Sequence, residues 1–170
     1  MAQTKTYMDE LVEYPAKAIR LIGSDKNCVG LLINKPFYEV NDDDCDKALD
    51  DYIFSFQYID NTTQEAVAYV WVEIDVPRVQ NKTAKSVKLY VTVSCHKQYM
   101  KLDRKTFSGV IGNRRDNLVR NIDRLLNFSD IFGIGKLSLE SIKTLSSPND
   151  FTIRELAYSV PDFNLRDIKG

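Results

Sequence analysis

The chain's only histidine, His96, directly follows Cys95. A cysteine beside a histidine suggests a thiol nucleophile, because imidazole can take the proton from sulfur when the two groups are within hydrogen-bond reach. Apolar and polar residues alternate from Val87 to Cys95, however, and this pattern predicts a β-strand. Neighbouring side chains of a strand point to opposite faces. We therefore predict a buried Cys95, a polar His96 at the end of the strand and no nucleophile.

A glycine-containing segment, residues 130–137, reads Asp-Ile-Phe-Gly-Ile-Gly-Lys-Leu. A phosphate-binding loop requires glycine where Asp130 stands and serine or threonine where Leu137 stands. It also lies between a strand and a helix, whereas the order predicted here is helix, turn, strand. We therefore expect Gly133 and Gly135 to supply positive-φ positions where the chain leaves one element for the next.

A dense acidic cluster is the third candidate for chemistry. A calcium loop of the EF-hand type that began at Asp42 would need glycine at Lys47 and glutamate at Ile53, so the match fails. An enzyme would have to use this cluster with a divalent metal. We instead predict a solvated acidic face that meets a basic partner, with no catalytic activity and no cofactor. The cluster comprises Asp42, Asp43, Asp44, Asp46, Asp50 and Asp51.

Residues 97–124 are rich in basic side chains. Such a surface suits phosphate binding, and Tyr99 and Phe107 could stack on bases. The segment carries no recognised nucleic-acid signature. A small module that binds nucleic acid or a host protein through residues 97–124 therefore remains an alternative. The basic residues are Lys97, Lys101, Arg104, Lys105, Arg114, Arg115, Arg120 and Arg124.

An acidic and a basic stretch in one chain favour association between copies. Head-to-tail contacts of this kind close into rings when the rotation permits, and complementary charge sets their orientation. The predicted subunit-interface residues are Asp42, Asp43, Asp44, Asp46, Lys101, Arg104, Lys105, Arg114 and Arg115.

The composition is that of an ordinary globular domain, with 170 residues, 44% hydrophobic and 28% charged side chains, and a net charge of −1. We expect one domain over residues 1–170. The three cysteines, Cys28, Cys45 and Cys95, are odd in number and widely spaced, which argues against a disulfide framework or a zinc site. No apolar run approaches the length of a membrane span and no signal peptide is visible, so we expect a cytosolic protein without a membrane partner.

The positioning elements follow from hydrophobic periodicity. The pattern predicts an α+β fold, with a mostly antiparallel sheet of about five strands flanked by two or three helices. Residues 34–51, 77–85 and 97–112 are expected to be long loops or arms that reach neighbouring subunits. Helices are predicted at 8–22, 25–32 and 114–127, strands at 52–59, 67–76, 87–95, 137–142 and 151–160, and a hairpin loop at 60–64.

The second half of the chain resembles a known protein family. A strand at 89–96 is followed by a basic loop, a helix at 115–126, the Gly-Ile-Gly-Lys-Leu turn at 133–137 and a closing segment at 151–164. This order is similar to that of the neck and tail-completion proteins of tailed bacteriophages, especially the tail terminators. The closing Asp162-Phe163-Asn164 adds to the likeness.

This resemblance implies a structural protein of the virion, assembled in the bacterial cytoplasm. Such a subunit forms a ring, expected to be a hexamer, that ends the tail tube and joins it to the head connector. DNA passes through the lumen without sequence recognition. A head-completion or adaptor ring is a neighbouring possibility. The family has no catalytic residues to carry over.

Overall fold

The computed structural model describes residues 7–58, 65–76, 78–80, 83–85, 87–132, 135–147 and 149–160. Within these ranges the helices are α1 (Tyr7–Ser24), α2 (Lys26–Ile33), α3 (Asp42–Asp51) and α4 (Arg114–Leu126), with 3-10 turns at Phe37–Glu39 and Lys97–Tyr99. The strands are β1 (Ile53–Phe54), β2 (Ala68–Asp75), β3 (Arg78–Gln80), β4 (Thr83–Lys85), β5 (Lys88–His96), β6 (Ser138–Leu145) and β7 (Phe151–Ser159).

Five strands form one sheet in the order β1-β2-β5-β7-β6, and β3 pairs with β4 in a separate ribbon. Every pairing in the sheet is antiparallel except that of β1 with β2. The predicted α+β fold with a mostly antiparallel sheet of about five strands is confirmed.

The hairpin expected between the first two strands is wrong. The predicted strand at 52–59 is reduced to Ile53–Phe54, which pairs parallel to β2, and parallel neighbours need a crossover longer than a tight turn. Tyr52 is used to end α3, where its backbone N–H donates to the Ala48 carbonyl. Phe54 and Tyr58 do not lie on one extended strand; their rings stack with centroids 4.2 Å apart. The loop predicted at 60–64 lies outside the described residues.

The prediction of a long loop at 34–51 is also wrong, because α3 occupies most of this segment. The Asn41 side chain accepts from the Asp44 backbone N–H at 2.9 Å, and the Asp44 carboxylate accepts from the Asn41 N–H at 3.0 Å. This capping box satisfies backbone donors that a helix start otherwise leaves open. The aspartates of the first turn also lie at the positive end of the helix dipole.

The other two segments expected to be loops or arms, 77–85 and 97–112, differ in how regular their structure is. Residues 77–85 contain the β3–β4 ribbon, so this segment is more regular than predicted. Residues 97–112 contain one 3-10 turn and then a series of bends, held in part by the Asp103 carboxylate, which accepts from the N–H and hydroxyl of Thr106. Gly109 and Gly112 have φ of 78° and 92°, a conformation that favours glycine.

The helices share one contiguous core with one face of the sheet. The predicted apolar stripe of α4 is confirmed, since Leu118, Ile122 and Leu126 are fully buried. The strand β5 differs from its prediction, because Thr92 and Ser94 on its second face are buried as well. Both are small side chains flanked on the neighbouring strands by larger ones, Tyr69 and Ile153 beside Ser94, and Trp71 and Glu155 beside Thr92.

Truncating the α4 stripe should destabilise the protein. Because Ile122 is fully buried, Ile122→Ala is expected to lower the free energy of unfolding by about 2–5 kcal/mol, measured by chemical denaturation. Ile111→Ala is the matched control, since that side chain is 86% exposed and should change stability by no more than about 0.5 kcal/mol. Equal losses in both variants would show that the helix face has been misassigned.

Candidate functional site

Cys95 and His96 point to opposite faces, as predicted. Cys95 lies in the main core, and burial raises the pKa of its thiol to about 12. His96 packs edge-on against Phe151 with ring centroids 5.2 Å apart, and its Nδ1 accepts from the Gln98 N–H. The imidazole and thiol are thus separated by the sheet, so the pair is not arranged as a nucleophile and its base.

The aspartates of α3 divide into two groups. Asp44 contributes to the capping box and accepts from Lys35 Nζ at 2.6 Å, and that hydrogen bond lowers the pKa of Asp44. Asp42, Asp43 and Asp46 are exposed, and no contact within the described ranges pairs them with a cation. No group of three or more His, Cys, Asp or Glu side chains in the described part of the chain is arranged to hold a metal ion.

Arg114, predicted as an exposed interface cation, is buried at 1% exposure, so that prediction is wrong. Its guanidinium donates to the Leu31 carbonyl, to Asn34 Oδ1 at 2.7 Å and to the Tyr99 carbonyl at 2.8 Å. The Tyr99 ring lies 3.7 Å from Cζ, in cation–π geometry. Burial lowers the pKa of this arginine. One side chain therefore fastens the start of α4 to the end of α2.

Arg115 is also buried, and the same correction applies to it. Its Nε lies 3.1 Å from Asp116 Oδ1, and Arg154 Nη1 contacts the same oxygen at 2.9 Å. Although burial alone would raise the pKa of Asp116, hydrogen bonds from Asn113 and Arg115 outweigh it and lower the pKa. The burial of Arg114 could have been inferred from the sequence. Arg114 stands four residues before Leu118, so the two side chains lie on the same face of the helix, at the start of its buried apolar stripe.

The remaining predicted cations, Lys101, Arg104 and Lys105, are exposed, and none forms an ion pair in the described segments, although Lys105 interacts electrostatically with Asp103. Tyr99 is not free to stack on a base, because its ring covers Arg114 and its hydroxyl donates to the Leu32 carbonyl at 3.1 Å.

Sequence reasoning missed a cleft of about 300 Å³ between α2, residues 35–38, residues 105–110 and α4. We call it the basic cleft because four cations and only one carboxylate line it. Its walls come from segments up to a hundred residues apart, so no local pattern could reveal it. The charged lining residues are Lys35, Lys105, Arg120, Arg124 and Asp25.

The wall formed by residues 35–38 is held close to α2. Asn34 ends the helix in the left-handed conformation at φ 60°, and the Lys35 N–H donates to the Gly30 carbonyl at 2.9 Å. A Cβ at Gly30 would lie 2.4 Å from the Lys35 carbonyl oxygen, so glycine is required there. This turn places Phe37 and Tyr38 at the rim of the cleft, 55% and 71% exposed.

The opposite wall is tied to α4 by Asn117, a polar residue that is nonetheless buried. Its amide donates at 2.8 Å to the carbonyls of Ile111 and Asn113, while its Oδ1 accepts from Arg120 Nη2 at 2.6 Å. The loop and one cleft arginine are thereby fixed by the same side chain.

A family model described as YomW matches residues 21–160, well over half of the chain. The chain belongs to the YomW family. This family derives from phages of the Bacillus SPbeta type, so the protein is phage-associated. No curated protein matches the chain. None of the helices within the described ranges is long and apolar enough to cross a membrane.

Gly135, predicted to need positive φ, has φ 134°. Gly133 of the same turn and residues 161–164 of the closing segment lie outside the described residues.

Removing the Arg114 guanidinium should loosen the α2–α4 junction. Arg114→Met keeps most of the volume but leaves three oxygen acceptors without their donor, so we expect a loss of about 3 kcal/mol or more in the free energy of unfolding. Arg104→Met, at an exposed position, is the control and should cost no more than about 0.5 kcal/mol. Similar stability of the two variants in urea titrations would refute the structural role of Arg114.

Proposed function

We propose that this YomW-family protein is a structural subunit of the phage virion that assembles with its own copies into a ring at the head–tail neck. The observation that carries the proposal is the pair of exposed, oppositely charged surfaces. The acidic surface consists of Asp42, Asp43 and Asp46, and the basic surface consists of Lys101, Arg104 and Lys105.

No residue of either surface forms an ion pair within the described chain, although the exposed Asp103 lies between Lys101 and Arg104 and the exposed Lys47 follows Asp46. The nearby Asp44 has an internal partner in Lys35, and the buried Arg114 and Arg115 are held by internal contacts. The exposed carboxylates and cations of the two surfaces are therefore available to contact opposite charges on another copy. Contact of an acidic surface on one subunit with a basic surface on the next is heterologous, and such contacts close into rings when the rotation permits.

Two further features support a role at the neck. The phage origin of the family fits a virion protein. The order of β5, the basic loop, α4, β6 and β7 is similar to that of tail terminators, whose rings end the tail tube and join the head connector. A net charge of −1 suits a lumen through which DNA slides without adhering. In this role the protein is not an enzyme and needs no cofactor.

Charge reversal tests the contact directly. Asp42→Lys with Asp46→Lys reverses two residues one helical turn apart, on the same face of α3, and leaves the capping Asp44 in place. Lys101→Glu with Arg104→Glu reverses the other surface. Each double variant alone should sediment as a monomer, because its two surfaces now carry the same sign.

An equimolar mixture of the two variants should assemble again, because each reversed surface then meets a reversed partner. Sedimentation velocity at low salt measures both states. Glu73→Lys, at an exposed position on β2, is a control for a general effect of charge and should assemble like the native chain. Assembly of either double variant alone, or failure of the mixture to recover assembly, would contradict the proposed contact.

A further inference from the structure

We propose that the basic cleft binds a small ligand that joins a phosphate to an aromatic ring, the chemical class of nucleotides. This site adjoins the assembly contact, because Lys105 belongs to the basic surface and also lines the cleft, but none of the four residues reversed above lines it. The two proposals can therefore fail independently.

The cleft holds positive charge that the fold does not use. Lys105, Arg120 and Arg124 form no ion pair in the parts of the chain that the structure describes, although Lys105 interacts electrostatically with the nearby Asp103. The one lining carboxylate, Asp25, caps α2 by accepting from the Cys28 N–H at 2.8 Å. Guanidinium groups bind phosphate through paired, charge-assisted hydrogen bonds.

The guanidinium of Arg120 is positioned before any ligand arrives. Arg120 is held by the buried Asn117 at 2.6 Å, and Arg124 lies one turn further along the same face of α4. Lys105 faces them from the loop wall. All three cations line the cleft, and holding a donor such as the Arg120 guanidinium in place reduces the entropy lost on binding.

Aromatic side chains line the same cleft as these cations. The rings of Phe37 and Tyr38 lie 5.5 Å apart in an edge-to-face arrangement, and both are mostly exposed at the rim. Exposed aromatic rings next to cations provide a stacking surface for a base while the phosphate is neutralised. Asn27 and Asn121, which also line the cleft, offer amides that match the hydrogen-bonding edge of a heterocycle.

Size and surroundings favour a free nucleotide over a nucleic-acid strand. A volume of about 300 Å³ is at the lower end for small-molecule sites. The exposed aspartates at the start of α3 lie next to the cleft, since Lys35 lines the cleft and is bonded to Asp44. These carboxylates would repel a polyanion that extended beyond the cleft.

Isothermal titration calorimetry with the native chain tests the proposal, using the four common ribonucleoside diphosphates, inorganic phosphate, adenosine and an oligothymidine as probes. At least one diphosphate should bind in the micromolar to millimolar range, more tightly than phosphate or adenosine alone. Binding by none of the four at millimolar concentration would overturn the proposal. Tighter binding of the oligothymidine than of every diphosphate would assign the cleft to a nucleic-acid strand instead.

Two variants locate the site. Arg124→Gln should weaken diphosphate binding about tenfold or more, whereas Lys143→Gln, which removes the same charge at an exposed position on β6 outside the cleft and the assembly surfaces, should leave it within about twofold. Tyr38→Ala should weaken diphosphate binding but not that of inorganic phosphate. Thermal melts confirm that each variant is folded. Equal affinity of Arg124→Gln and Lys143→Gln would place the ligand elsewhere and overturn the assignment.

Discussion

The buried guanidinium of Arg114 connects the segments of the protein that carry its exposed charged residues. Burying a cation without compensation is costly, and no carboxylate in the described chain pairs with this one. Compensation comes from the Leu31 carbonyl near the negative end of the α2 dipole, from the Tyr99 carbonyl and from the Tyr99 ring. The geometry of the α2–α4 junction is therefore set by one residue's hydrogen bonds.

The exposed charges depend on this junction. With α4 fixed against α2, Asn117 can hold both the loop at 101–112 and the side chain of Arg120. The turn after α2 presents Phe37 and Tyr38 across the cleft from them, and the same turn leads into the capping box of α3. The cleft and the two assembly surfaces are thus carried by one connected framework in a phage-associated protein of the YomW family.

Local patterns in the sequence predicted the α+β class, the helix α4, the strands β5 and β7, and the divergence of Cys95 from His96. The predictions failed at charged residues that have a structural role. The aspartates of α3 suggested a loop, although Asn41 and Asp44 stood at capping-box spacing. Arg114 was assigned to the surface by its charge, although its helical position lies in the buried stripe. The cleft could not be predicted from local sequence patterns, because its walls meet only through long-range contacts.

The mass of the native protein in solution, measured by light scattering at low and at high salt, tests the central claim that its unpaired charges are met by other copies. The account predicts a discrete multiple of 19.5 kDa at low salt that falls toward 19.5 kDa as salt screens the contacts. A single 19.5 kDa species under both conditions would contradict it.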